Sequence, residues 1–382
     1  MEFRIARDYL NEALGCLTTA IERKHQMNIL SNVKVEINKE KITLTGSDLE
    51  IQTIVQCDLT NECIAPGITT IPYRKLLEIC KSLPQGALLD ISVENNRCIL
   101  KSGQSRFSIS TLDATDYPIM NKSSATPIAV LTNQGDLKRN IDNVMFSMAV
   151  DDVRYYLTGA LFDIKENSIK IVTTDGHRLS CSEFESKCED FSKINNGKHI
   201  ILPRKAVHDL SKQLNAVDKP IQLRMHTDLM AYNIVLNTPT GNTLHIDNTI
   251  LLLDAKYPNY NQVIPKNSNK IAVIDTGVFK EAMQRVAILS NEKLRIIKLT
   301  FMTNLLRIDT NNADQEEAFE EIPIKYSSDE VCIGFNAQYL IEIMSNLNNQ
   351  FVEMYMSGDT SSTLIKAVHN EHTLYVVMPV RV

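Results

Sequence analysis

The sequence contains no tryptophan, and aromatic residues make up only 6% of its 382 residues. No continuous apolar run approaches the ~18 residues that a membrane-spanning helix needs. Residues 1–10 are charged and amphipathic, and they lack the apolar core of a signal peptide. We therefore expect a soluble, cytoplasmic protein with no membrane partner.

Motifs for metal binding and nucleotide hydrolysis are also missing. The eight cysteines are scattered, since none forms a Cys-X-X-Cys pair and no group has the spacing of zinc ligands. The glycine-rich phosphate-binding sequence of many ATPases is absent, and so is a helix-turn-helix signature for sequence-specific DNA binding. We expect reduced thiols, no metal and no other cofactor.

A short amphipathic segment occurs three times, at residues 72–83, 203–214 and 336–347. In each copy, apolar side chains fall at spacings that place them on one face of a helix. The matching positions are Leu76, Val207 and Leu340, then Ile79, Leu210 and Ile343, then Leu83, Leu214 and Leu347. The copies lie about 130 residues apart, which is too long for a solenoid repeat and indicates a repeated domain.

The surroundings of this segment repeat as well. A second amphipathic helix precedes each copy, and it is predicted at 7–21, from about 136, and after 277. Short runs with alternating apolar and β-branched residues predict strands between and after the helices. The sequence therefore predicts an α+β fold of three repeated domains, 1–125, 126–255 and 256–382, each with two helices on antiparallel sheet.

Such a fold leaves sheet edges in every domain. Sheet edges must be covered, closed or paired, because their backbone groups otherwise invite pairing with other chains. Joining the sheets edge to edge around a ring is one solution. Oligomerisation would then close the ring where three domains alone cannot.

The charges on the repeated helix allow two interpretations. The net charge of −6 excludes a chain coated with basic residues but permits a local basic surface, such as Arg74 and Lys75 or Arg204 and Lys205. These residues could bind a phosphate backbone without reading bases, and the few aromatic residues favour a duplex over a single strand. Alternatively, they are only the solvated faces of amphipathic helices.

Eight stretches, in this order along the whole chain, carry a close resemblance to a known family. They are 42–51 (ITLTGSDLEI), 146–148 (FSM), 153–157 (VRYYL), 173–179 (TTDGHRL), 202–205 (LPRK), 287–293 (AILSNEK), 315–318 (QEEA) and 375–381 (YVVMPVR). The set resembles the β subunit of bacterial DNA polymerase III, the DNA sliding clamp. No single stretch would be specific, but the ordered set is.

This resemblance implies both an architecture and a function. The expected architecture is three clamp domains per chain, closing as a ring-shaped head-to-tail homodimer. The expected function is that of a non-catalytic processivity factor that encircles duplex DNA without sequence specificity. The implied partners are the catalytic subunit of the replicative polymerase, the clamp loader and other proteins with a clamp-binding motif.

The resemblance also implies a pocket for partner peptides beside the carboxyl terminus. Its predicted residues are Leu157, Thr174, Gly176, His177, Arg178, Leu179, Pro258, Val263, Val376, Met378, Pro379, Val380 and Arg381. An apolar groove with a flexible methionine suits several different peptides. The alternative is that residues 376–380 are an ordinary last strand and that His177 and Arg178 are structural.

Two further surfaces are implied in the same way. The dimer interface is predicted at the apolar residues Phe107, Ile288 and Leu289, with Arg97, Lys101 and Arg106 opposite Glu316, Glu317, Glu320 and Glu321. The DNA-binding surface is predicted at Lys24, Arg74, Lys75, Arg204 and Lys205. Opposite charges across an interface fix its register more than they add affinity.

A sequence-specific DNA regulator and an enzyme are the rival classes. Asp175, His177 and Ser180 lie close together in the sequence and could suggest a hydrolase. However, no nucleophile-elbow motif surrounds the serine, and no third partner is identifiable. The enzyme is therefore the weaker alternative to a clamp.

Overall fold

The computed structural model describes residues 1–22, 26–58, 63–120, 126–189, 198–266 and 268–381. The chain forms two compact units. The first unit comprises Met1–Gln134, Cys188–Asp190 and Lys212–Leu252, and the second comprises Gly135–Lys187, Phe191–Ser211 and Leu253–Val382. The second of the three sequence repeats is thus divided between the units.

Six helices and twenty-six strands lie in the described residues. The helices are α1 (Arg7–Gly15), α2 (Tyr73–Ser82), α3 (Gln134–Asp142), α4 (Arg204–Gln213), α5 (Thr276–Val286) and α6 (Ala337–Asn346). The strands of the first repeat are β1 (Glu2–Ala6), β2 (Asn32–Ile37), β3 (Lys41–Ser47), β4 (Ile51–Asp58), β5 (Cys63–Ala65), β6 (Gly67–Pro72), β7 (Leu88–Glu94), β8 (Arg97–Ser102) and β9 (Ser105–Ser110).

The later repeats follow the same order of elements. The second contains β10 (Ile128–Asn133), β11 (Gly159–Ile164), β12 (Ser168–Thr174), β13 (Arg178–Glu185), β14 (Lys187–Cys188), β15 (Lys198–Pro203), β16 (Pro220–Met225), β17 (Leu229–Asn237) and β18 (Thr243–Leu251). The third contains β19 (Lys270–Asp275), β20 (Ile296–Met302), β21 (Leu305–Asn311), β22 (Glu317–Pro323), β23 (Val331–Asn336), β24 (Phe351–Met356), β25 (Thr363–Ala367) and β26 (Thr373–Val377).

The predicted order of helix, strands, helix, strands is confirmed, but each helix is also preceded by a strand that the sequence did not reveal. These strands are β1, β6, β10, β15, β19 and β23. They run straight into the helices, so no turn residues mark their ends. The helix predicted over 7–21 is shorter than expected, since α1 ends at Gly15 and residues 16–20 form turns.

Every strand pairing that the structure describes is antiparallel. The first unit holds a five-stranded sheet, β5-β1-β7-β8-β9, and a nine-stranded sheet, β14-β10-β16-β17-β18-β4-β3-β2-β6. The second unit holds an eight-stranded sheet, β15-β11-β12-β13-β26-β25-β24-β19, and a four-stranded sheet, β22-β21-β20-β23. Helix α1 packs on α2 in the first unit, and α5 packs on α6 in the second.

One rule joins successive repeats. Strand β4 of the first repeat pairs with β18 of the second, with Ile51 opposite Ile250. Strand β13 of the second repeat pairs with β26 of the third, with Leu179 opposite Val376. In both cases the third strand after the first helix of one repeat pairs with the last strand of the next repeat. The equivalent strands β22 and β9 end their sheets in the described chain.

The apolar stripe that defined the repeat faces the core. Leu76, Val207 and Leu340 are at most 1% exposed, and so is Leu210. No helix in the described ranges is long and apolar enough to span a membrane.

Candidate functional site

An apolar cavity of about 200 Å³ opens in the second unit. Nine of the thirteen predicted pocket residues line it, namely Leu157, Thr174, Gly176, Arg178, Leu179, Pro258, Val263, Val376 and Met378. Arg154 and Tyr156 also line it, although sequence reasoning missed them. Both lie in the stretch 153–157, which carried part of the resemblance, so a signal for them was present.

The turn between β12 and β13 forms one wall of this cavity. The carboxylate of Asp175 accepts the backbone N–H groups of His177 at 2.9 Å and Arg178 at 3.0 Å. Gly176, between them, has a φ of +88°, a conformation that side chains disfavour. A Cβ atom at Gly176 would lie 3.0 Å from the guanidinium of Arg154. Glycine is therefore favoured by the backbone, and a Cβ here would also require the end of the Arg154 side chain to shift.

Arg154 is held above this turn by its own ion pair. Its guanidinium donates to Asp152 through two nitrogens, at 3.0 and 2.7 Å. The same group donates to the carbonyl oxygen of Asp175 at 3.3 Å. The hydrogen bonds from Arg154 lower the pKa of the Asp152 carboxyl to about 2, so the pair stays charged at neutral pH.

Arg178 makes several contacts at the cavity, and it is only 9% exposed. Its guanidinium donates to Asp175 at 3.0 Å, to the carbonyl of Phe146 at 2.7 Å, and to Glu342 of α6. It also lies 4.5 Å from the centre of the Tyr339 ring, in cation–π geometry. Each guanidinium nitrogen thus has a partner within the chain, which favours the structural interpretation of this residue.

The carboxyl-terminal tail closes another side of the cavity. The backbone N–H of Met378 donates to the carbonyl of His177 at 2.9 Å, while the His177 side chain is exposed. The N–H of Val380 donates to the carbonyl of Gly334 at 2.8 Å, away from the cavity. Arg381 lies beside a separate, more polar cavity that Lys298 and Asp309 also line. The structure therefore does not bring His177, Pro379, Val380 or Arg381 into the lining.

The hydrolase alternative is wrong. Ser180 is 1% exposed, and its hydroxyl lies 2.6 Å from that of Ser147 inside the core. Asp175, the supposed acid, is paired with Arg178. A buried serine and a carboxylate engaged elsewhere cannot form a catalytic triad.

The predicted DNA-binding residues differ in their freedom to contact phosphates. Lys75 is exposed, and Arg74 is exposed but lies 2.9 Å from Glu78. Arg204 is half-buried and donates to the carbonyl of Met148 at 2.8 Å, and Lys205 is half-buried and also engaged. Lys24 lies outside the described residues.

The predicted interface residues lie on β9 and β22, each of which ends its sheet, and on the strand or turn beside them. Arg106 and Phe107 lie on β9, with Arg97 and Lys101 on the neighbouring β8. Glu317, Glu320 and Glu321 lie on β22 and Glu316 directly before it, while Ile288 and Leu289 follow α5, with Ile288 77% exposed.

The acidic residues of β22 divide between its two faces. Glu320 is on the face toward α5, where Arg285 donates to it at 2.7 and 2.9 Å and lowers its pKa. Glu317 and Glu321 are exposed on the other face, beside Phe319. The negative charge of Glu320 is therefore already balanced by Arg285 within the chain, which sequence spacing alone did not show.

Comparison with known proteins gives matches along the chain. Models of the DNA polymerase III beta subunit match its N-terminal domain at residues 1–121, its central domain at 132–259 and its C-terminal domain at 261–381. Proteins described as beta sliding clamp from Pseudomonas putida and Escherichia coli K12 are 36% and 34% identical to the chain over 381 residues, each with 100% of both chains covered.

Solved structures give the same result. The DNA polymerase III subunit beta of Pseudomonas aeruginosa has a TM-score of 0.91 and 35% identity, with 100% of both chains covered. A sliding clamp from the same organism, bound to griselimycin, gives the same values. A griselimycin-bound clamp from Bartonella birtlesii has a TM-score of 0.91 at 27% identity, again with 100% of both chains covered.

Replacing Gly176 with alanine tests the geometry of the cavity wall. We expect Gly176→Ala to lower the free energy of unfolding by about 1–3 kcal/mol, because the positive φ strains the new residue. Gly358→Ala is the matched control, since a Cβ there meets nothing within 4 Å. Urea unfolding followed by circular dichroism measures both variants. Equal stability of the two variants would show that Gly176 is not constrained.

Proposed function

Because the chain belongs to the β-subunit family of DNA polymerase III, whose members are non-catalytic sliding clamps of DNA replication, we propose that it works as a head-to-tail homodimeric ring around duplex DNA. As a processivity clamp it acts with DNA and a DNA polymerase. The proposed domain boundaries lie near residues 125 and 255, and the proposed location is the cytoplasm.

The rule that joins successive repeats carries the homodimer proposal. The pairs β4–β18 and β13–β26 leave only the equivalent strands β9 and β22 without the neighbour that the rule requires, among the described strands. Pairing β22 of one copy with β9 of a second copy extends the same rule. Two such junctions close a ring and remove both open edges, as symmetric closure demands.

Side chains on these strands support that pairing. Phe107 on β9 and Ile288 beside α5 offer apolar surface near the two open edges, and Ile288 is 77% exposed. On the opposite sheet face, Arg97, Lys101 and Arg106 would meet Glu317 and Glu321, while Glu316 lies at the entrance to β22. Glu320 is already paired with Arg285 in its own chain, so we do not expect it to pair with a residue of the second copy.

The apolar cavity is the proposed docking site for partner peptides. Its lining is mostly apolar, with Met378 as an adaptable wall and few polar groups, which suits an apolar side chain of a peptide. The proposed partners are the catalytic subunit of the replicative polymerase, the clamp loader and other proteins with a clamp-binding motif. We also propose that this cavity binds griselimycin, as related clamps have been crystallised with that compound.

The proposed DNA contacts are few and weak. Lys75 is exposed, whereas Arg74 and Arg204 already have partners within the chain. Exposed charges in water bind phosphate weakly and are screened by salt. Weak contacts allow sliding, because the closed ring keeps the protein on the DNA.

Topological binding distinguishes a clamp from other DNA-binding proteins. After loading, we expect the protein to stay on nicked circular duplex DNA and to leave when the circle is cut once. Gel filtration of the complex before and after cutting measures this. A sequence-specific binder would stay on the linear DNA, and that result would contradict the ring.

The dimer interface is tested by placing charges beside the open edge. We expect the double variant Ile288→Asp, Leu289→Asp to be monomeric in multi-angle light scattering, because two carboxylates would be desolvated at the junction. The matched control is Val150→Asp, Val153→Asp, which changes two apolar residues that are 66% and 98% exposed and belong to neither β9 nor β22. A dimeric Ile288/Leu289 variant would count against the proposed pairing.

The docking site is tested by shortening its adaptable wall. We expect Met378→Ser to weaken griselimycin binding about tenfold in isothermal titration calorimetry, because about 1.4 kcal/mol of apolar contact is lost. Met302→Ser removes an equally half-buried methionine outside the cavity and should bind like the wild type. Unchanged affinity for Met378→Ser would place the ligand elsewhere.

A further inference from the structure

A buried carboxylate lies under the linker that joins the second and third repeats. Strand β11 is buried along its whole length, and Asp163 within it is 8% exposed. Its cross-strand neighbours are Lys170 on β12 and His199 on β15. Burying a carboxylate is unfavourable unless hydrogen bonds satisfy its oxygens. The donors to Asp163 therefore show what this residue holds in place.

Each carboxylate oxygen of Asp163 has its own partner. The hydroxyl of Tyr260 donates to Oδ2 at 2.9 Å, and Nε2 of His199 lies 3.0 Å from Oδ1. Tyr260 is 7% exposed, whereas the His199 side chain is 63% exposed. Burial and the nearby Asp163 charge raise the pKa of Tyr260, so its hydroxyl remains a donor. Tyr260 belongs to the linker and His199 to β15, so the buried hydrogen bond from Tyr260 is the one that ties the linker to β11.

Tyr260 sits between the two linker residues that line the cavity. Pro258 lies two residues before it and Val263 three residues after it, and both line the cavity. The N–H of Val263 donates to the carbonyl of Tyr260 at 3.1 Å, which closes a single 3₁₀ turn. The Tyr260 ring belongs to the same buried cluster as the cavity residues Leu179 and Val376. The position of Tyr260 therefore bears on Pro258 and Val263, which form the linker wall of the cavity.

We propose that the Asp163–Tyr260 hydrogen bond anchors the linker wall of the docking cavity, so that both residues position the site without touching the ligand. The inference rests on the proposed role of the cavity as the docking site. A hydrogen bond to a charged group in a buried setting is stronger than one between neutral groups, and it is directional. Without this hydrogen bond, the aromatic ring of Tyr260 would stay packed, but the linker wall would sample other positions.

Removing one hydroxyl tests the anchor in the full-length protein. We expect Tyr260→Phe to weaken griselimycin binding about tenfold in calorimetry, because apparent affinity falls with the fraction of protein whose site is correctly formed. Tyr355→Phe is the matched control, since it removes a tyrosine–carboxylate bond to Glu353 of 2.7 Å on β24, outside the linker. The control should bind within about twofold of the wild type.

A double-mutant cycle tests whether Asp163 acts through Tyr260. We expect Asp163→Val to weaken binding about as much as Tyr260→Phe, and the double variant to be no weaker than either single variant. Asp163→Asn keeps an oxygen that accepts from Tyr260, so it should restore most of the affinity. Additive losses, or no rescue by asparagine, would overturn the anchor.

Hydrogen exchange separates failure of this inference from failure of the proposed function. We expect faster amide exchange in residues 259–264 of Tyr260→Phe than in the wild type or Tyr355→Phe. If the wild type does not bind griselimycin, the docking proposal is wrong for this ligand, and the exchange data alone then judge the anchor. Unchanged exchange together with unchanged affinity in Tyr260→Phe overturns the inference.

Discussion

The hydrogen bonding of strand edges is the constraint on which the rest of the structure depends. A repeat of this kind always has a strand whose N–H and C=O groups lack a partner, and exposed edges invite unwanted pairing. Within the chain, pairing such a strand with the last strand of the next repeat satisfies these groups twice, at β4–β18 and at β13–β26. Each junction lies inside one compact unit, which explains why the three repeats form two units rather than three.

The β13–β26 junction also produces the candidate docking site. Leu179 and Val376, which face each other across this pairing, both line the cavity. The two arginines of the lining have partners within the protein: Arg178 binds Asp175, Phe146 and Glu342, and Arg154 binds Asp152. The apolar surface is thus left for a ligand, and the charged groups serve to hold its walls in place.

The sequence predicted what depends on local spacing and missed what depends on long-range contacts. Leu76, Val207 and Leu340 were identified because a helix buries every third or fourth residue, and they are buried. The strands before the helices were missed, because each is a run of five or six residues that leads directly into a helix with no turn signal. Nine cavity residues were expected from the family resemblance, and the cavity brings them together.

Charged residues were the least predictable, for a physical reason. A long side chain can reach several partners, so spacing along a helix does not decide whether Arg204 faces solvent or the carbonyl of Met148, as it does. Likewise Glu320 pairs with Arg285, and Tyr260 is held by Asp163, which lies 97 positions earlier in the chain. Such contacts form only after the sheets have brought distant segments together.

The same freedom of the charges bears on how a clamp moves on DNA. Burial of the apolar stripe stabilises every repeat, whereas the charges on the helices have diverged, and Ala337–Asn346 has no lysine or arginine at all. If the ring closes as proposed, retention on DNA does not depend on these charges. Each internal pair, such as Arg74 with Glu78, then reduces the grip on phosphate without reducing retention. A topological tether can therefore be acidic overall and still remain on a polyanion.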